Sequence, residues 1–124
     1  MADSKFLAWL LHGRTMNYSM RTSPGRDTIV SIYSIEDIKR HHRGHWFDKE
    51  TMRFFKSRVY SDIYPGKDGK VYFVSSEQGP VGNRGYSIRR YDVATDCIST
   101  EGTFMVWKTL AAARAAAKRI ANDA

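Results

Sequence analysis

RVYSDIYPGKDGKVYFVSS, residues 58–76, decides how this chain folds. Arg58, Tyr60, Asp62 and Tyr64 alternate with Val59, Ser61 and Ile63, and a period of two is the pattern of a strand. Pro65 to Gly69 then gathers turn formers, with glycine available for positive φ. Lys70 to Ser76 supplies a return strand rich in β-branched and aromatic side chains. The stretch predicts an antiparallel hairpin.

Toward the C-terminus the β pattern continues. Glu77 to Arg84, with Gly79, Pro80, Gly82 and Gly85 in or beside it, predicts a flexible loop. Tyr86 to Val93 predicts a third strand, Asp92 to Asp96 a turn, and Cys97 to Thr100 a fourth strand. From Lys108 to Ala121 the period changes to helical, with Leu110, Ala113, Ala117, Ile120 and Ala121 on one face. Alanine favours helix intrinsically, and its small side chain lets a helix lie close to a sheet.

Toward the N-terminus, Asp48 is placed to cap a short helix with Glu50 in its first turn and Met52, Phe54 and Phe55 as apolar contacts. Phe54, Phe55 and Phe73 are expected in the core. Ser34 opens another helix, with Asp37 in the capping-box position and Ile35 and Ile38 facing inward. Lys39, Arg40, His41 and His42 complement the dipole at its far end, and Gly44 stops it. Thr28 to Tyr33 predicts a strand, and residues 13–27 a linker of turn formers. Residues 4–12 predict a short amphipathic helix capped by Ser4, with Trp9 off its apolar stripe.

The expected architecture is therefore α+β: N-terminal helices, an antiparallel three- to four-stranded β-meander, and a C-terminal helix packed on one sheet face. The other face is left for water or a partner. Residues 1–27 form an N-terminal helix and linker extension, and residues 28–124 a single domain. A length of 124 residues suits one domain.

Cys97 is the sole cysteine, which excludes intramolecular disulfides and Cys-based zinc clusters and fits a reducing cytoplasm. In its β-like run it is expected as a small buried residue rather than a nucleophile. The longest apolar run, Phe6 to Leu11, falls far short of the about 20 residues that span a bilayer, and Asp3 before it does not suit a signal peptide. No membrane partner is expected.

Charge carries the functional signal. Between Lys49 and Tyr91, nine basic residues meet four acids, so this stretch holds +5 of the chain's net +7. Tyrosines and phenylalanines are interleaved with the cations. A pI of about 9.7 directs attention to nucleic acid or an acidic protein surface. Arg53, Lys56, Arg58, Arg84, Arg89 and Arg90 are the candidate phosphate contacts, Tyr60 and Tyr91 the candidate stacking rings, and Trp9 and Trp46 the candidate partner anchors.

Catalytic patterns are thin. His41 and His45 have the i,i+4 spacing of a metal pair, but Gly44 lies between them and no H-E-x-x-H pattern supports it. There is no G-x-S-x-G elbow. The run Gly79 to Gly85 lacks both the G-K-[ST] ending of a P-loop and the GxGxxG order, so no cofactor is expected. The acids fall mostly at caps and turns.

His45 to Arg58 (HWFDKETMRFFKSR), Val71 to Ser76 (VYFVSS) and Tyr86 to Asp92 (YSIRRYD) together resemble a small uncharacterised domain of bacteriophages and other bacterial mobile elements, over about residues 34–121. The resemblance implies a phage-type accessory protein in the cytoplasm of a bacterial host and carries no catalytic motif. The expected function is non-enzymatic binding of nucleic acid or a nucleoprotein complex through a basic, tyrosine-containing face. The alternative is an inhibitor of a host defence complex, anti-CRISPR-like, that binds an acidic protein surface. A small metal-dependent hydrolase or nuclease built on His41, His42, His45 and Asp48 is the least favoured expectation.

Overall fold

Every residue from Val71 to Glu77 is buried, and successive side chains enter two different cores. The structure, a computed structural model, describes residues 17–23 and 26–124, with side chains from residue 31 onward. Four strands form one antiparallel sheet in sequence order: β3 (Arg58–Pro65), β4 (Val71–Gln78), β5 (Arg84–Asp92) and β6 (Cys97–Glu101). Three short helices accompany them, α1 (Ile35–His41), α2 (Lys49–Phe54) and α3 (Leu110–Asp123). The fold is α+β, with α3 on the sheet as its alanine stripe predicts.

The hairpin expected at residues 58–76 forms, with Ile63 opposite Phe73 and Pro65 opposite Val71 and a shift of register between Val59 and Ile63. Its turn is closed by Gly66 N–H donating to the Lys70 carbonyl at 2.8 Å. Asp68 accepts from Lys70 N–H and from the Tyr72 hydroxyl, at 3.0 and 2.8 Å. Gly69 sits at φ 82°, a conformation that glycine adopts without steric penalty.

On one face of the sheet, Val71, Phe73, Tyr91 and Val93 meet Ile32, Ile35 and Ile38, with Trp46 and Phe47 packed against them. On the other, Tyr72, Val74 and Ile88 meet Ala113, Ala116, Ala117 and Ala121 of α3. Burying one such aliphatic or phenyl side chain contributes about 1.5–3 kcal/mol. The face opposite α3 is thus not open to water or a partner: α1 and the Trp46–Phe47 segment cover it. Thr109 caps α3 by accepting from Ala112 N–H at 3.2 Å.

Over residues 17–23 and 26–27 the expected linker is instead strand. Asn17–Ser23 is strand β1 and Arg26–Ser31 strand β2, paired antiparallel from Asn17–Ser31 to Ser23–Arg26. Residues 4–12, with Trp9, lie outside the described residues.

The helix starts also differ in detail. Neither Ser34 nor Asp48 caps through its side chain. The Asp37 carboxylate reaches one residue further back than a capping box, accepting from Tyr33 N–H at 2.7 Å, and also takes Arg40. Asp48 is engaged instead by the His45 ring at 2.7 Å. Among the described residues no helix is long and apolar enough to cross a membrane.

Candidate functional site

The candidate site lies at one end of the sheet, where α2, the end of β4 and the start of β5 converge. Its position is set by the way α2 stops. Lys56 N–H donates to the Arg53 carbonyl at 3.1 Å and Ser57 N–H to the Met52 carbonyl at 2.6 Å. This nested pair of bonds is a Schellman ending, which favours glycine at the left-handed position. Here Lys56 holds that position, at φ 49°. The turn is then sewn to the sheet: Gln78 N–H donates to the Phe55 carbonyl at 2.7 Å, and Arg84 Nη2 to the Lys56 carbonyl at 3.1 Å. Arg84 Nη1 also donates to Ser76 Oγ at 2.7 Å, which fixes the guanidinium from the β4 side.

The result is an open groove of about 430 Å³ whose walls carry Lys49, Arg53, Lys56, Arg58 and Arg84, with no carboxylate in its lining. None of the five cations makes an ion pair among the described residues. Lys56 and Gln78 also line a second, adjoining cleft of about 680 Å³, with Phe54, Phe55, Pro80 and Val81. Phe54 is 78% exposed and Val81 89%. Phe54 and Phe55 meet edge to face at 4.6 Å between centroids, and Phe55 meets Phe104 at 5.4 Å.

The expectation that Phe54 and Phe55 belong to the core is overturned. A six-residue helix with no buried residue cannot carry them inward, so they stand at the rim of the sheet. Phe104 is delivered to the same rim by the segment after β6. Trp107 exchanges backbone hydrogen bonds with Tyr86 at 2.8 and 3.1 Å, and Met105 N–H donates to Ser87 Oγ at 2.7 Å. Gly85 makes room for that approach, since a Cβ there would stand 2.9 Å from the Met105 carbonyl oxygen.

Of the residues expected from sequence, Arg53, Lys56, Arg58 and Arg84 come together in the groove. Two of the others are corrected by burial. Tyr91 has no exposed surface, and its hydroxyl donates to Asp96 at 2.7 Å. Arg89 is 8% exposed, with Nη2 3.0 Å from the carboxylate of fully enclosed Glu77. Ser75 and Ser87 donate to the same carboxylate at 2.7 and 2.9 Å. Arg89 further donates to Ser75 Oγ and Thr100 Oγ1, and its guanidinium lies 5.3 Å from the ring centres of both Trp46 and Phe104. Neither Arg89 nor Tyr91 is available to a phosphate or a base, and Trp46, half-buried over Arg89, is a lid on this pair rather than a free anchor.

Tyr60 and Arg90 lie away from the groove. Tyr60 packs toward α3, its hydroxyl 3.0 Å from Ser76 Oγ and the Arg114 guanidinium 5.9 Å from its ring centre. Arg90 is paired with Glu101 at 3.1 Å. Cys97, expected buried, is exposed on edge strand β6.

The histidines do not converge. α1 ends at His41, so His41 and His45 do not share a helix. His42 Nδ1 lies 2.9 Å from Asp96, whereas His45 takes Asp48. No group of three potential metal ligands occurs among the described residues. Burial works to raise the Asp96 carboxyl, but hydrogen bonds from Tyr91, the Arg43 N–H and His42 outweigh it and hold Asp96 below its ordinary value. Burial, with the Asp96 hydrogen bond and charge, pushes the Tyr91 phenol far up. This cluster orders the β5–β6 turn.

The model of a protein family matches residues 31–118, which spans the sheet, all three helices in large part, and the groove. The chain belongs to DUF7447. That family is described as one of unknown function, so membership in DUF7447 assigns no activity to the groove. No curated protein and no solved structure is significantly similar to the chain.

Proposed function

We propose that this DUF7447 protein is a non-enzymatic accessory protein of phage or mobile-element type that binds nucleic acid, or a nucleoprotein complex, in the bacterial cytoplasm. The observation that carries the reading is the groove: five cations from α2, its C-terminal turn, β3 and β5 line one concavity without a carboxylate. Such a surface gathers phosphates by releasing their counterions, so the logarithm of affinity falls linearly with log salt. Fluorescence anisotropy of labelled DNA and RNA across a salt series tests it. With all five cations engaged, the slope approaches about −4.5 on duplex and about −3.5 on single strands. Negligible binding to every nucleic acid at low salt overturns the reading.

The exposed Phe54, Phe55 and Val81 favour a second reading, an inhibitor seated on an acidic protein surface of a host defence complex. A pull-down from nuclease-treated bacterial lysate separates the two. A partner lost on nuclease treatment supports nucleic-acid binding, and one retained supports the inhibitor.

A further inference from the structure

The basic groove adjoins the phenylalanine cleft, and that juxtaposition bears on the form of nucleic acid the site would accept. We propose that the site takes a single strand, with its phosphates along Arg53, Lys56, Arg58 and Arg84 and an unstacked base against Phe54; this rests on the nucleic-acid reading above.

Lys56 and Gln78 line both concavities, so the cations and the apolar cleft lie side by side, within reach of one extended ligand. A nucleotide has this order of chemistry: an anion joined through a sugar to a flat, apolar-faced base. In a duplex the base faces are stacked on one another and only their edges reach a protein. A face becomes available when the strand is single, and stacking on an aromatic ring is then the usual contact.

Phe54 is the ring suited to it. Phe55 has Phe54 on one side and Phe104 on another, whereas Phe54 is the most exposed of the three. The cleft's volume, about 680 Å³, falls in the range of ordinary ligand sites. Base identity is read weakly here. The Gln78 side-chain N–H donates to the Gly82 carbonyl at 3.1 Å, so this amide is already engaged, and stacking itself tolerates any base.

The test is anisotropy on short labelled oligothymidine, oligouridine and a hairpin duplex at low salt, with the wild-type protein, Phe54→Ala and Phe54→Trp. At least one single strand is expected to bind more tightly than the duplex, and the thymidine and uridine arms tell DNA from RNA. Phe54→Ala is expected to weaken single-strand binding by about 5- to 150-fold while leaving the salt slope unchanged, and Phe54→Trp to retain it. Duplex binding as tight as single-strand binding, or an Phe54→Ala protein with undiminished single-strand affinity, overturns the single-strand inference and leaves the nucleic-acid reading standing. Absence of binding to all three probes overturns both and turns the groove over to the acidic-protein reading.

Discussion

Arg89 Nη2 stands 3.0 Å from Glu77 Oε2 beneath Trp46 and Phe104, a full ion pair buried within the sheet. Each remaining polar atom around it is used: Ser75 and Ser87 on the carboxylate, Ser75 and Thr100 on the guanidinium. The pair also ties the interior to the rim, because the Phe104 ring that covers Arg89 is the one that meets Phe55.

Removing one partner strands the other charge. Glu77→Leu and Arg89→Met are each expected to destabilise the protein by about 3–5 kcal/mol. The double variant is expected to be more stable than either single one, since no charge is left buried. Urea denaturation of the three proteins measures this, and a double variant as weak as the sum of the singles contradicts it.

Lys56 separates stability from binding. Its left-handed backbone carries a penalty of about 1 kcal/mol for a residue with a Cβ, which glycine escapes. Lys56→Gly is therefore expected to hold or raise the urea midpoint while lowering nucleic-acid affinity and reducing the salt slope by about one. A variant that loses both stability and binding shows that the lysine side chain supports the fold.

Asp96 sets an acid limit. Its folded pKa lies below the ordinary value of 3.8, so on acidification the unfolded chain takes up this proton first. The stabilisation is fully present above about pH 4 and fades as pH falls through the lower folded value. Asp96→Asn is expected to flatten the acid limb of a stability-against-pH curve measured by urea midpoints. On the alkaline side the sign reverses. Burial, aided by Asp68, pushes the Tyr72 phenol up to about 12, and Tyr91 is also raised, so stability is expected to fall as pH climbs above 10.

Cys97 is expected to react with a thiol reagent in the native protein nearly as fast as in denaturant, because its side chain is exposed on β6. A strong lag in native buffer, measured by reagent absorbance, contradicts that exposure.

The sheet and α3 were legible because their periods are clean. Val59 to Tyr64 alternates, and Ala113, Ala117 and Ala121 recur at helical spacing. Residues 17–23 were not legible as a strand, since Asn17, Ser19, Thr22 and Ser23 favour turns and only pairing with β2 overrides them. Alternation shows which side chains share a face and not which face is covered. Arg89 and Tyr91 therefore read as surface residues, until the β4–β5 register puts Arg89 on one face with Glu77, the Ser75–Ser87 pair between them, and the long arginine side chain reaches back to the carboxylate. The groove was half legible. Its cations stood out by charge, whereas Phe54 and Phe55 passed as core by hydrophobicity, which says little about burial on a helix too short to have an inner face.

With both faces of β4 sealed, one wall of the phenylalanine cleft hangs on the scaffold as a detachable tip. Residues 79–83 supply Pro80 and Val81 to the cleft and no side chain to either core, and their backbone closes on itself, Gly79 with Asn83 and Gly82 with Gly79. That loop is a graft point: neither core limits its length or composition, so one wall of the cleft can be exchanged on an unchanged chassis while the cations and Phe54 stay where α2, β3 and β5 hold them.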